Sequence, residues 1–162
     1  MSSEQFKQGL SELYQGEILG EALFDQMLTY FQSPDHQYKL SLLLQLETET
    51  KARLRPALAL LGIDFKEQAE FRKAGLDIAS SLKGKSWEET MVTLRDIVEP
   101  AVSHYKEIAS CAPPEYLGIT ELMVAHEKSL YDFFQLELEG SGELSIDKIY
   151  QQIHYKFSPP WI

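Results

Sequence analysis

The chain has one cysteine in 162 residues, Cys111, which excludes an intrachain disulfide framework and any multi-thiolate metal site. It has no glycine-rich phosphate loop and no Gly-x-Ser-x-Gly elbow, so neither a nucleotide fold nor a serine hydrolase is indicated. No uninterrupted apolar run of about 18 residues is present, and no membrane span is expected. Cations are scarce: 15 Lys and Arg against 25 Asp and Glu leave a net charge of −10. Nucleic acid and anionic membranes are bound by clustered Lys and Arg, so both are unexpected partners. Met1 to Gln8 lacks the apolar run of a signal peptide, and with the lone cysteine a reducing cytoplasm is the expected location. Strand-length alternation, low-complexity tracts and short-period repeats are also missing.

What the chain does contain is apolar residues at 3–4 spacing, in the 44% hydrophobic and 25% charged proportions of an ordinary globular protein. A single domain spanning 1–162 follows from the length, with its core in 3–140 and a C-terminal helix and tail in 145–162. The first long helix is expected from Ser3 to Phe31, on the stripe Phe6, Leu10, Leu13, Glu17, Gly20, Phe24 and Phe31. Gly16 and Gly20 on it leave room for a close neighbour. Ser33 as N-cap and Pro34 at the first helical position open the second helix, which must run antiparallel after so short a connection. Its stripe is Leu40, Leu43, Leu44, Leu54, Leu58 and Leu61, with a kink expected at Pro56 and a stop at Gly62.

Residues 62–86 are too many for a turn and match a crossing along the length of a bundle. Asp64 with Glu67 reads as a capping box for a short helix over Phe65–Ala74, ended by Gly75. A second capping box, Ser86 with Glu89, starts the third long helix, which runs through Pro100 to Cys111. The fourth starts between Pro114 and Thr120 and ends at Gly140; a short helix capped by Ser145 follows to about His154. The aromatic tail from Phe157 to Ile162 is expected to dock on the bundle or on a second copy, which makes a homodimer the expected assembly.

Two stripe positions on the second helix, Glu47 and Thr50, are not apolar. A carboxylate on a core face costs several kcal/mol, roughly, unless it is paired or coordinates a cation. The first helix places Glu17 inward as well, with Glu21 one turn on as the alternative. The fourth places His126 inward, beside Glu127; on the third, either His104 or Tyr105 takes the inward position. Carboxylate with imidazole suits iron, manganese or zinc, so Glu17, Glu47, His104 and His126 are the candidate metal ligands. The competing reading is a buried Glu47–His126 pair that fixes helix register. The aromatics Tyr14, Tyr30, Tyr131, Phe133 and Phe134 read as core, and Lys51, Arg53 and Arg55 as a solvated helix face.

Short link, long crossover, short link, with inward Glu and His, resembles the ferritin-like superfamily of rubrerythrins and di-iron carboxylate oxygenases, over roughly 3–140. The resemblance implies an all-α fold: a ferritin-like antiparallel four-helix bundle with a long helix 2–helix 3 crossover and a short C-terminal helix. The superfamily's di-iron pattern takes a Glu from two helices and Glu-x-x-His from the other two. Here Glu17 or Glu21 matches the first glutamate, Glu47-x-x-Thr50 has lost its histidine, and Met123-x-x-His126 has lost its glutamate. The third helix offers only His104, since Glu99 lies off the stripe. A pair of metals needs bridging carboxylates, so this set implies one Fe or Mn ion or none. Three functions stay open: a non-enzymatic or small-ligand-binding bundle with a degenerate metal site, a mono-metal oxidoreductase or oxygenase using Glu17, Glu47 and His126, and a structural or interaction protein.

Overall fold

The structure, a computed structural model, describes residues 3–157. It is all-helical, with no strand among the described residues. Among the described residues six α-helices follow one another: α1 (Ser3–Met27), α2 (Pro34–Leu60), α3 (Ala69–Leu82), α4 (Trp87–Ser110), α5 (Leu117–Leu138) and α6 (Asp147–Gln152). A single 3-10 turn, Pro114–Tyr116, leads into α5.

The contacts fix the directions. Along α2, Gln37 reaches Leu28, Thr48 reaches Glu21 and Arg55 reaches Tyr14, so α2 runs back along α1. Gln15 bonds the backbone at Lys66 and Gln68, and Gly75 meets Leu19, so α3 returns in the direction of α1. Trp87 bonds Glu137 and Tyr105 bonds Glu127, which sets α5 against α4. The segment between α2 and α4 therefore runs back along α1, and its helix, Ala69–Leu82, is longer and later than the expected Phe65–Ala74.

Several ends differ from the expected ones. α1 stops at Met27 instead of Phe31, because Tyr30 N–H bonds to Met27 O in a tighter turn and the Gln37 amide binds the free carbonyls of Leu28 (2.7 Å) and Phe31 (2.5 Å). Ser33 occupies the N-cap position of α2 without a side-chain cap bond. Asp64 accepts from the N–H of Lys66 at 3.0 Å in a local turn, and Glu67 turns away to Lys51 and Arg72, so the expected capping box does not form. The helix that follows covers Ala69–Leu82, and Gly75 lies inside it rather than ending it. Ser145 bonds Glu137 instead of capping α6. α2 and α4 run on through Pro56 and Pro100. The box Ser86–Glu89 is present, with both bonds made. Gly62 and Gly140 end α2 and α5 with φ of 68° and 76°, and the N–H groups of Ile63 and Ser141 reach back to Leu58 O and Leu136 O.

The segment after α6 is strapped to α2: Glu49 accepts from the N–H groups of His154 and Tyr155, and Tyr38 donates to Phe157 O. Tyr155 and Phe157 are exposed. The expected docking of Trp161 and Ile162 lies outside the described residues.

Lys51 corrects another expectation. It is buried, not solvated, and its ammonium binds Glu21 (2.5 Å) and Glu67 (2.8 Å). Arg72 adds a second cation to the same acids. The Lys51 hydrogen bond, followed by Arg72, lowers the Glu67 carboxyl from 4.5 to about 2. A carboxyl lowered on folding stabilises fully above its unfolded value and loses that contribution as pH falls toward the folded one. Urea titrations from pH 6 down to pH 2 should therefore show a shallower acid loss of stability in Glu67→Gln than in the wild type. Parallel curves for the two proteins would mean this ion pair adds nothing.

Buried apolar side chains form two clusters. One holds Phe24, Met27, Leu40, Leu43, Phe133 and Phe134; the other holds Phe6, Leu10, Leu13, Leu54, Leu58 and Met123. Between them, at the middle of α1, α2 and α5, lies a layer that is not apolar: Glu17, Glu47, Thr50 and His126 are all buried.

Candidate metal centre

Each of the four comes from a stripe position of an otherwise apolar helix face, which is why the fold carries it inward. Glu17 stands between Leu13 and Phe24 on α1, Glu47 between Leu43 and Leu54 on α2, and His126 between Met123 and Leu130 on α5. One ligand atom from each of Glu17, Glu47 and His126 falls within 4.8 Å of the other two. His126 Nε2 is 3.4 Å from Glu17 Oε2 and 3.6 Å from Glu47 Oε1. Neither approach makes a hydrogen bond: Nε2 and both Glu17 oxygens are buried without a partner. Such orphaned polar atoms are rare in protein interiors, and these three lie in one buried layer.

The opposite edge of the imidazole is held. His126 Nδ1 lies 3.1 Å from the Thr50 hydroxyl. With the proton on Nδ1 donated to Thr50, the Nε2 lone pair points at the two carboxyl groups, the arrangement a metal-binding histidine needs. Thr50 thus orients the imidazole of the layer.

Electrostatics agree. Burial first, and then the Glu47 carboxyl opposite, hold Glu17 well above the ordinary carboxylate range. Burial lowers His126, but the carboxylates of Glu47 and Glu127 outweigh it and the net direction is up. No lysine or arginine pairs with Glu17, Glu47 or Glu127 among the described residues; Lys51 and Lys39 are spent on Glu21 with Glu67 and on Asp35 with Glu137. Without a cation, this layer must hold protons that a neutral-pH carboxylate would release.

The alternatives left open by periodicity are resolved by neighbours. Glu21 belongs to the Lys51 cluster, so the inward acid of α1 is Glu17. His104 is not brought to the layer: its side chain is half exposed and lies 3.3 Å from Glu12 at the surface, while Tyr105 is buried. The aromatic ring suits the apolar side of α4 better than an imidazole would.

Two residues absent from the candidate ligand set also reach the layer. Glu127 is buried, and burial raises it to about 7 even though His126 and the Tyr105 hydroxyl oppose the rise. Tyr105 donates to it, and burial pushes that phenol well above its usual range. Two of the three glycines of α1, Gly16 and Gly20, make space here for side chains rather than for a helix backbone. A Cβ on Gly20 would overlap the Glu47 carboxyl group, and one on Gly16 would sit 3.0 Å from the Tyr105 hydroxyl.

Comparison with known proteins leaves this geometry to stand by itself: no family model matches the chain, and no curated protein or solved structure matches it.

Proposed function

We propose that the chain is a four-helix bundle of ferritin-like type, formed by α1, α2, α4 and α5, that binds one iron or manganese ion through Glu17, Glu47 and His126. The supporting observation is the set of three buried ligand groups, two of them with orphaned atoms, gathered within 4.8 Å. Two carboxylates and one imidazole neutralise a divalent ion and leave coordination positions for another molecule. A pair of metals finds too few bridging acids here. Protein produced with added iron and manganese is expected to carry one ion per chain by elemental analysis; two ions, or none, would refute the assignment.

A site built for a cation is a liability without one. Glu17→Gln removes the buried acid at nearly constant shape, so the metal-free variant should be more stable than metal-free wild type at pH 7–8. The gain is the cost of keeping a proton on that carboxyl at neutral pH, which an amide does not incur. Its pH dependence follows from the sign of the shift: a carboxyl raised on folding weakens the fold increasingly above about pH 4.5, so the advantage shrinks to nothing in acid. The same variant should no longer take up metal. Were the glutamate there only to fix helix register, the substitution would instead lower the melting temperature across the whole pH range.

A second reading, an oxidoreductase or oxygenase that uses this ion, is favoured by one feature. A cavity of about 160 Å³ between α1, α4 and α5 has Glu47 in its lining, so a small molecule in it would lie beside one of the carboxylates that would hold the ion. Turnover of a small apolar compound that disappears on metal removal would separate an enzyme from a binding protein.

A further inference from the structure

The cavity next to the carboxylate layer has two unlike ends. Leu23, Leu94, Val98 and Phe134 form an apolar wall, and Glu47, Glu127 and Tyr105 form a polar end. Ile97, which also lines it, is exposed, so the cavity reaches solvent across α4. Its volume of about 160 Å³ is close to that of an apolar cavity known to hold benzene, roughly 150 Å³. Six or seven carbon atoms fit such a space.

The polar end is not used up by a metal. The group of ligand atoms that could share an ion contains Glu17, Glu47 and His126, and Glu127 is not in it. Glu127 is nonetheless buried, and its described donor is the Tyr105 hydroxyl. A carboxylate has about four lone-pair positions, more than one hydroxyl donor fills, and Glu127 is part of the cavity lining. The polar end thus holds two carboxyl groups, Glu47 and Glu127, with no lysine or arginine paired to either among the described residues.

We propose that this cavity binds a small primary amine, an alkyl- or arylammonium of about six carbons, with its ammonium on Glu127 and its hydrocarbon part against the apolar wall. An ammonium brings three donors and one positive charge, which is what the polar end is short of. An alcohol brings one donor and no charge, and a carboxylate adds repulsion to a layer already rich in acids. The pairing does not require Glu127 to be ionised beforehand: a neutral amine meeting the protonated acid takes its proton and forms the same ion pair. The inference rests on reading the cavity as a ligand site, and not on the identity or presence of the metal.

Calorimetric titration of the full chain with n-hexylamine, 1-hexanol and hexanoate tests it, in metal-free protein and again with one equivalent of Mn²⁺. Hexylamine is expected to bind at least tenfold more tightly than hexanol in both states, and hexanoate more weakly than either. Glu127→Gln should erase the tenfold preference while hexanol binding persists, and Ala101→Phe, which fills the cavity, should abolish binding of both. Equal affinities for amine and alcohol in the wild type, tighter binding of hexanoate, or no binding of any probe would overturn the proposal. Should the wild type fail to take up Mn²⁺ yet keep the amine preference, the metal centre falls and the amine site stands. Uptake of Mn²⁺ without the preference has the reverse meaning.

Discussion

Replacing His126 with alanine is expected to abolish metal uptake, from one ion per chain to less than a tenth. The imidazole is the one neutral ligand of the three, and its removal leaves Glu17 and Glu47 facing each other with nothing between them. Two oxygen ligands alone hold iron or manganese weakly, and the pocket left by the ring gives water access to the ion. His126→Gln serves as the size-matched companion, because it keeps the volume and loses the aromatic nitrogen donor. Circular dichroism on both variants separates loss of a ligand from loss of the fold. Thr50→Val should behave differently: the ion stays but binds about 10–100-fold more weakly, as is typical when the group orienting a histidine ligand is removed. Undiminished stoichiometry in folded His126→Ala would remove the centre altogether.

That prediction rests on residues visible in the sequence, and the reason is simple. A charged residue on an apolar helical stripe contradicts the pattern around it, and Glu17, Glu47 and His126 each break a run of leucine, phenylalanine or methionine. Periodicity assigns a face but not a neighbour. It therefore leaves Glu17 and Glu21 open, and only the Lys51 ammonium bound to Glu21 separates them. The same limit applies to His104 and Tyr105, adjacent residues about 100° apart around α4, where Tyr105 turns inward to Glu127.

What periodicity hides most is a polar residue at the boundary of a stripe. Lys51 and Glu127 both sit one step off the apolar face, and in an isolated helix both would be solvated. Lys51 is covered because α3 and the segment before it fold onto α1 beside it, supplying Glu67; Glu127 is covered by Tyr105 from α4. Long-range packing decides such positions. The sequence signals that do exist are small: Gly16 and Gly20, four residues apart on α1, mark where Tyr105 and the Glu47 carboxyl need room. The extent of the crossover helix is similarly masked, because Gly75 reads as a helix stop and the helix runs on to Leu82.

Gly75→Ala is expected to destabilise the protein by about 3 kcal/mol, against the usual sign for glycine in a helix interior. Helix propensity alone would favour alanine by about 1 kcal/mol. Here a Cβ would overlap the backbone oxygen of Leu19 and come within 3.1 Å of the Ala22 Cβ. Backbone cannot rotate aside as a long side chain can, so α3 must lift off α1 to admit one methyl group. Overpacking of this kind costs about 1–3 kcal/mol and occasionally more, and the rigid partner places it at the upper end. For a chain of this length that is a fall of roughly 6–12 °C in melting temperature. Gly118→Ala on α5 is the control: its Cβ would meet nothing within 4 Å, and a gain of up to about 1 kcal/mol is expected. The lifted α3 should also loosen the Lys51–Glu67 contact, since the chain enters α3 directly after Glu67. The metal-binding residues lie on α1, α2 and α5, so uptake of one ion per chain should persist in Gly75→Ala at temperatures where it is folded. A melting temperature equal to or above the wild type would show that α3 sits more loosely on α1 than the contact at Leu19 requires.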